Sequence, residues 1–131
     1  MRKRKGQIIF FLIVVLDQFL KLVTLKRGSA VLNRGISFGL FNDSFSFEVL
    51  LVVLPVLLGI FLFVSIFKLS KNFGLVLILS GGFSNYLDRI IKGGVVDYLK
   101  IWFFPHFNLA DLAITLGFVW FLVDFVKKQT V

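Results

Sequence analysis

The chain has no cysteine, one histidine, two prolines and only seven acidic residues among 131. Without cysteine there are no disulfides, no thiolate nucleophile and no cysteine metal site, and the redox compartment stays open. A single histidine, His106, leaves little for a metal centre or a histidine-dependent serine triad. What is abundant is hydrocarbon: 58% of the residues are hydrophobic and 18 are Phe, against 17% charged. A soluble domain is about 45–50% apolar, and one this short cannot hide the excess, so an integral membrane protein is expected. The net charge of +8 would suggest nucleic acid in a soluble protein. Here the basic residues flank apolar runs and suit anionic lipid headgroups, so membrane lipid is the expected partner and nucleic acid is not.

Crossing the hydrocarbon takes about 20 apolar residues at 1.5 Å each. Four stretches qualify, 7–25, 47–67, 73–91 and 109–126. Pro55 in the second is expected to kink the helix rather than break it. No repeat, low-complexity stretch or second domain interrupts residues 1–131, which are read as one all-α membrane domain of four transmembrane helices. "MRKRKG" before "QIIFFLIVVL" mimics a secretory signal, but "DQFLK" follows in place of a small-residue cleavage site, so an uncleaved signal-anchor is expected. Arg2, Lys3, Arg4 and Lys5 put the N-terminus in the cytoplasm, and four spans return the C-terminus to that side.

With this topology the polar intramembrane residues cluster toward the outer leaflet. Asp17 and Lys21 share a face of the first span at i, i+4. Asn85, Asp88 and Arg89 share a face at the outer end of the third, Asp97 lies in the short outer loop, and Asn108 and Asp111 lie where the fourth span re-enters. Each also has a structural explanation. Asp17 and Lys21 can neutralise each other, Asp88 can pair with Lys92, and Arg89 can snorkel to phosphate. Asn108 is placed to cap the fourth helix with Asp111 in its first turn. Asp124 suits Lys127 and Lys128 at the inner interface. His106 reads as interfacial, and Trp102, Phe103 and Phe104 as an interface anchor.

Asp97 and Asp111 flank a loop with both ends at the outer interface, so their side chains can meet. Two close carboxylates tend to share one proton; one then activates water while its protonated partner polarises a carbonyl and protonates the leaving amine. Spacing alone does not establish that they touch. A rival reading is a small proton- or ion-coupled transporter using Asp17, Lys21, Asp88 and Arg89 as a relay, which would call for polar residues at several depths. The second span is nearly bare of them.

Five ordered blocks carry a resemblance: "DQFLK" at 17–21, "NRGISFGLF" at 33–41, "GGFSNYLDR" at 81–89, "VVDYL" at 95–99 and "FNLADLAI" at 107–114. Over nearly its whole length the chain resembles the bacterial lipoprotein signal peptidase family (signal peptidase II). The resemblance implies an aspartic endopeptidase of the bacterial cytoplasmic (inner) membrane, with Asp97 and Asp111 as its catalytic dyad near the outer leaflet. It implies that Asn33, Asn85, Arg89 and Asn108 line the site and bind the substrate backbone, and that Asp17 and Lys21 support the fold nearby; Asp88, on the face of Asn85 and Arg89, is a further candidate for substrate binding or support. The implied substrate is a diacylglyceryl-modified prolipoprotein cut just before its lipidated Cys. No metal or organic cofactor is implied, and a monomer is expected. The first outer loop, 26–46, is expected to build the extracytoplasmic platform. Departures from the usual pattern are Leu20 for Thr, Ile36 and Ser37 for a pair of Ala, Ser84 for Gly, Tyr98 for Phe and Leu112 for Ser. None removes a catalytic group.

A further rival is a catalytically dead scaffold, against which the intact Asp97 and Asp111 argue. Another is a different class of intramembrane aspartic protease, which the block order disfavours.

Overall fold

The computed structural model describes residues 3–34 and 72–130. Three helices and a small sheet make up this part: α1 Lys3–Lys26, β1 Val31–Asn33, α2 Phe73–Lys92, β2 Val95–Asp97 and α3 Leu109–Gln129. The expected spans 7–25, 73–91 and 109–126 therefore appear as helices. The span at 47–67 with Pro55, and the loop from residue 35 to 46, lie outside the described residues.

Polar residues set the helix limits where hydrophobicity alone would not. The Asn72 side chain caps α2, accepting from the backbone N–H of Gly74 at 2.9 Å. Asn108 caps α3 in the same way. Both satisfy N–H groups that a helix start leaves without an intrahelical acceptor.

α2 packs chiefly against α3 and also against α1, and α1 in turn touches α3. A Cβ added to Gly81 would run into the carbonyl oxygen of Ala110, so a glycine is required where the start of α3 crosses α2. Close backbone approach through small residues is how helices pack when the surrounding solvent is as apolar as their side chains.

The all-α expectation misses β1 and β2. They pair antiparallel, with Val31 opposite Asp97, Leu32 opposite Val96 and Asn33 opposite Val95. At Gly94 a side chain would sit 2.9 Å from the Asn33 carbonyl oxygen, so the two connections close only because residue 94 has none. Strands of three residues leave no alternating pattern to read. A bridge between Leu99 and Phe107 continues the pairing toward α3.

Burial is inverted relative to a soluble protein. Asp17, Lys21, Asp88 and Asn108 are fully buried, whereas Phe11, Leu12, Leu116 and Trp120 are exposed. α1 and α3 are each long and apolar enough to cross a membrane, with mean hydropathies of 2.3 and 2.0. Their outer faces suit lipid as the solvent, and Asp17, Gln18, Lys21 and Asp111 turn inward toward α2.

Candidate active site

Every N–H group at the start of α3 has a side-chain partner, and these partners come from three parts of the chain. Asn108 N donates to Asp111 Oδ2 at 3.2 Å and Asp111 N donates to Asn108 Oδ1 at 2.8 Å, a reciprocal capping box. Leu109 N donates to the Tyr98 hydroxyl at 3.1 Å and Ala110 N to Asp17 Oδ1 at 3.2 Å. The helix that carries Asp111 is thus pinned at its first turn to α1 and to the segment that carries Asp97.

The two carboxylates meet through Asn108. Its Nδ2 has three acceptors in reach that share its two hydrogens, Asp97 Oδ1 at 3.0 Å, the Val96 carbonyl at 3.1 Å and Asn85 Oδ1 at 3.0 Å, while its backbone N–H holds Asp111. Asn33, brought alongside by the β1–β2 register, donates from Nδ2 to Asp97 Oδ2 at 3.2 Å. Asn85 donates from Nδ2 to Asp111 Oδ1 at 2.9 Å. Asp97 is buried, and that burial, together with the charge of Asp111, pushes its carboxyl up to about 6 despite the Asn33 hydrogen bond. Arg89 is buried too, so it does not snorkel. Its Nη1 donates to the Asn85 carbonyl at 3.4 Å, and its charge is felt by Asp111, Asp88 and Asp97.

Beneath this pair lies an ion cluster. Lys21 Nζ reaches Asp17 Oδ2 at 2.7 Å, Asp88 Oδ2 at 2.8 Å and Asn85 Oδ1 at 2.9 Å, so each of its three N–H groups has an acceptor. Asp88 also takes Lys92 at 2.8 Å and the Val96 N–H at 3.0 Å. The expected i, i+4 pairs Asp17–Lys21 and Asp88–Lys92 are both present, but Lys21 goes further and bridges α1 to α2.

Three members had no role in the sequence reading. Gln18 Nε2 donates to Ser84 Oγ and Asp88 Oδ1, each at 3.0 Å. Ser84 donates to Asp17 Oδ2 at 2.6 Å, and Tyr98 to Asp17 Oδ1 at 2.9 Å. Gln18 was signalled only as a second polar residue beside Asp17, and Ser84 and Tyr98 only as departures from the blocks. Asp124 takes Lys128 at 2.8 Å near the C-terminal end of α3, away from the cluster, the basic partner expected for it.

Beside Asp111 an apolar cleft of about 410 Å³ opens between the 101–104 turn and α3, lined by Ile101, Trp102, Phe103, Phe107 and Leu112. Trp102 and Phe103 are 90% and 89% exposed at its rim.

The sequence profile of signal peptidase (SPase) II matches residues 9–127. The chain belongs to the signal peptidase II family. This is a family of membrane-embedded aspartic peptidases. Among its relatives, the lipoprotein signal peptidase of Anaplasma phagocytophilum is 32% identical, across 95% of this chain and 94% of the relative. That of Thermodesulfovibrio yellowstonii is 32% identical over 95% and 96%, and that of Caldanaerobacter subterraneus 35% over 84% and 88%. Two solved bacterial membrane enzymes share the fold. They superpose with TM-scores of 0.80 and 0.75 at 19% and 20% identity, covering 98% and 97% of this chain and 94% and 98% of theirs.

Proposed function

We propose that the chain removes the signal peptide from diacylglyceryl-modified prolipoproteins, cutting before the lipidated Cys with water activated by Asp97 and Asp111. The observation that carries this reading is the single residue Asn108 holding both carboxylates, one through its side chain and one through its backbone. Two carboxylates so joined, with Arg89 as their buried counter-charge, are electrically balanced when they keep one proton between them. That is the state acid–base hydrolysis needs. Asp97, pushed up to about 6, lies where a protonated carboxyl is tolerated, and the two carboxylates hold the shared proton as a unit. The protonated carboxyl polarises the scissile carbonyl, water adds to it, and the proton passes to the departing amine.

Asn33, Asn85 and Asn108 hold the pair in register, and Arg89 presents charge to the substrate backbone. Asp17, Lys21 and Asp88 support them from below. The cleft beside Asp111 and the Phe- and Leu-rich helix faces take the substrate's apolar parts, and holding the peptide at the dyad supplies proximity. Four spans in the bacterial inner membrane, both termini cytoplasmic and the first outer loop as a platform, put the dyad near the outer leaflet. There a diacylglyceryl anchor presents its bond. The chain works as a monomer without metal or organic cofactor. A proton relay through Lys21 is disfavoured because all three of its N–H groups are committed and its side chain is sealed from solvent.

The test is cleavage of a diacylglyceryl-modified prolipoprotein by purified protein in detergent, comparing wild type with Asp97→Asn and Asp111→Asn. Cleavage before the lipidated Cys, lost in both folded variants, is expected. Retained cleavage in either variant removes that Asp from the chemistry.

A further inference from the structure

We infer that Tyr98 is a positioning residue for the two carboxylates, fixing the separation of Asp97 and Asp111 through its phenol oxygen. The inference rests on the dyad reading above. Tyr98 follows Asp97 directly, so whatever holds Tyr98 holds the Asp97 backbone. Its own N–H donates to the Phe107 carbonyl at 3.0 Å, and its hydroxyl accepts from Leu109 N at 3.1 Å. These contacts grip the chain on either side of Asn108, the residue that touches both carboxylates. The hydroxyl also donates to Asp17 Oδ1 at 2.9 Å. A phenol has one proton to give; spending it on Asp17 leaves an oxygen lone pair facing Leu109 N. Asp17 in turn is fixed by Lys21 and Ser84 and accepts from Ala110 N. Tyr98 and Asp17 therefore hold successive N–H groups at the start of α3. The turn that presents Asp111 cannot rotate against the strand that presents Asp97 without breaking them. Burial and the neighbouring Asp17 charge raise the phenol above its ordinary value, which keeps it a neutral donor.

The charged groups around the pair are Asp17 and Lys21 from α1, Asp88 and Arg89 from α2, and Asp111 from α3. Removing the Tyr98 hydroxyl deletes none of these charges and takes one hydrogen bond from Asp17, so the pH–rate profile of Tyr98→Phe is read together with its kcat and KM. In the full chain in detergent, Tyr98→Phe is expected to lower kcat about tenfold with KM within about twofold, and to displace the alkaline limb of the profile. A second form keeps the ring shape: 3-fluorotyrosine at position 98 in a Tyr86→Phe background. It alters the strength of the hydroxyl's hydrogen bonds, and a smaller kcat change in the same direction is expected. An unchanged kcat and profile in the fluorotyrosine protein, or a Tyr98→Phe loss that disappears at lower temperature with the wild-type profile restored, would overturn the inference. The dyad reading would survive either result, because it falls only if Asp97→Asn or Asp111→Asn still cleaves.

Discussion

Replacing Asp97 by Asn should make the protein more stable at alkaline pH while it abolishes cleavage. Asp97 is 3% exposed and its carboxyl is pushed from 3.8 up to about 6, chiefly by burial. A carboxyl that binds its proton more tightly when folded favours folding most below the unfolded value. That contribution fades as pH rises through about 6 and is absent above it. At 1.36 kcal/mol for each tenfold change in proton affinity, ionised Asp97 costs about 3 kcal/mol at about pH 8 relative to acid. Asparagine carries no proton to lose. It keeps an acceptor for the Asn108 Nδ2 but turns an NH2 group toward Asn33, which forfeits a hydrogen bond worth about 1 kcal/mol. The expected net gain is about 2 kcal/mol at about pH 8, shrinking to nothing or slightly below by about pH 4. Thermal unfolding of both proteins in the same detergent, stepped through this range, measures it. A difference that stays flat with pH, or a wild type more stable than the variant at about pH 8, would refute the claim that Asp97 is held in an environment hostile to its charge.

Lys21→Met removes the cation between two fully buried carboxylates and should cost about 3–5 kcal/mol, the range for breaking a buried ion pair from one side; loss of folded protein from detergent extracts is the readout. Gly81→Ala drives a Cβ into the Ala110 carbonyl and forces α2 and α3 apart just below Asn85 and Asp111. A stability loss of about 1–3 kcal/mol with a parallel fall in cleavage is expected, and an unchanged melting temperature would mean the helices tolerate wider spacing.

Much of this was legible because hydrocarbon makes polar residues conspicuous. Asp17 and Lys21 at i, i+4 had to share a face, and they do. Asn108 before an apolar run announced a helix start. The face reading of Asn85, Asp88 and Arg89 was right but coarse: Asp88 turns to Lys21 and Lys92, while Asn85 turns to Asp111. A one-dimensional pattern places residues on a face without saying which neighbour each meets. The β1–β2 pairing was illegible for a different reason. It depends on one backbone contact at Gly94 and on residues far apart in the chain, and neither leaves a periodic signal. Gln18, Ser84 and Tyr98 were hidden because uncharged polar groups cost little at an interface and so demand no explanation until their partners are known.

The ion cluster also gives the site an orientation that an apolar core cannot supply. The amide of Asn85 has one end that donates and one that accepts, and the two have nearly the same shape. Turned the wrong way, its oxygen would face the Asp111 carboxylate, and the pair would repel. Lys21 excludes that arrangement, because an ammonium has no lone pair and can only meet the oxygen end. With Oδ1 committed to Lys21, Nδ2 must face Asp111, where it donates at 2.9 Å. Asn108 agrees with it: its Oδ1 accepts from Asp111 N, which leaves its NH2 group to meet Asn85 Oδ1 and Asp97. One buried cation therefore sets the sense of the Asn85 amide, and the capping box sets that of Asn108, so that both carboxylates receive donors. Asp17 and Asp88 keep that cation in place, so their burial serves the orientation of the site even though neither needs to touch substrate.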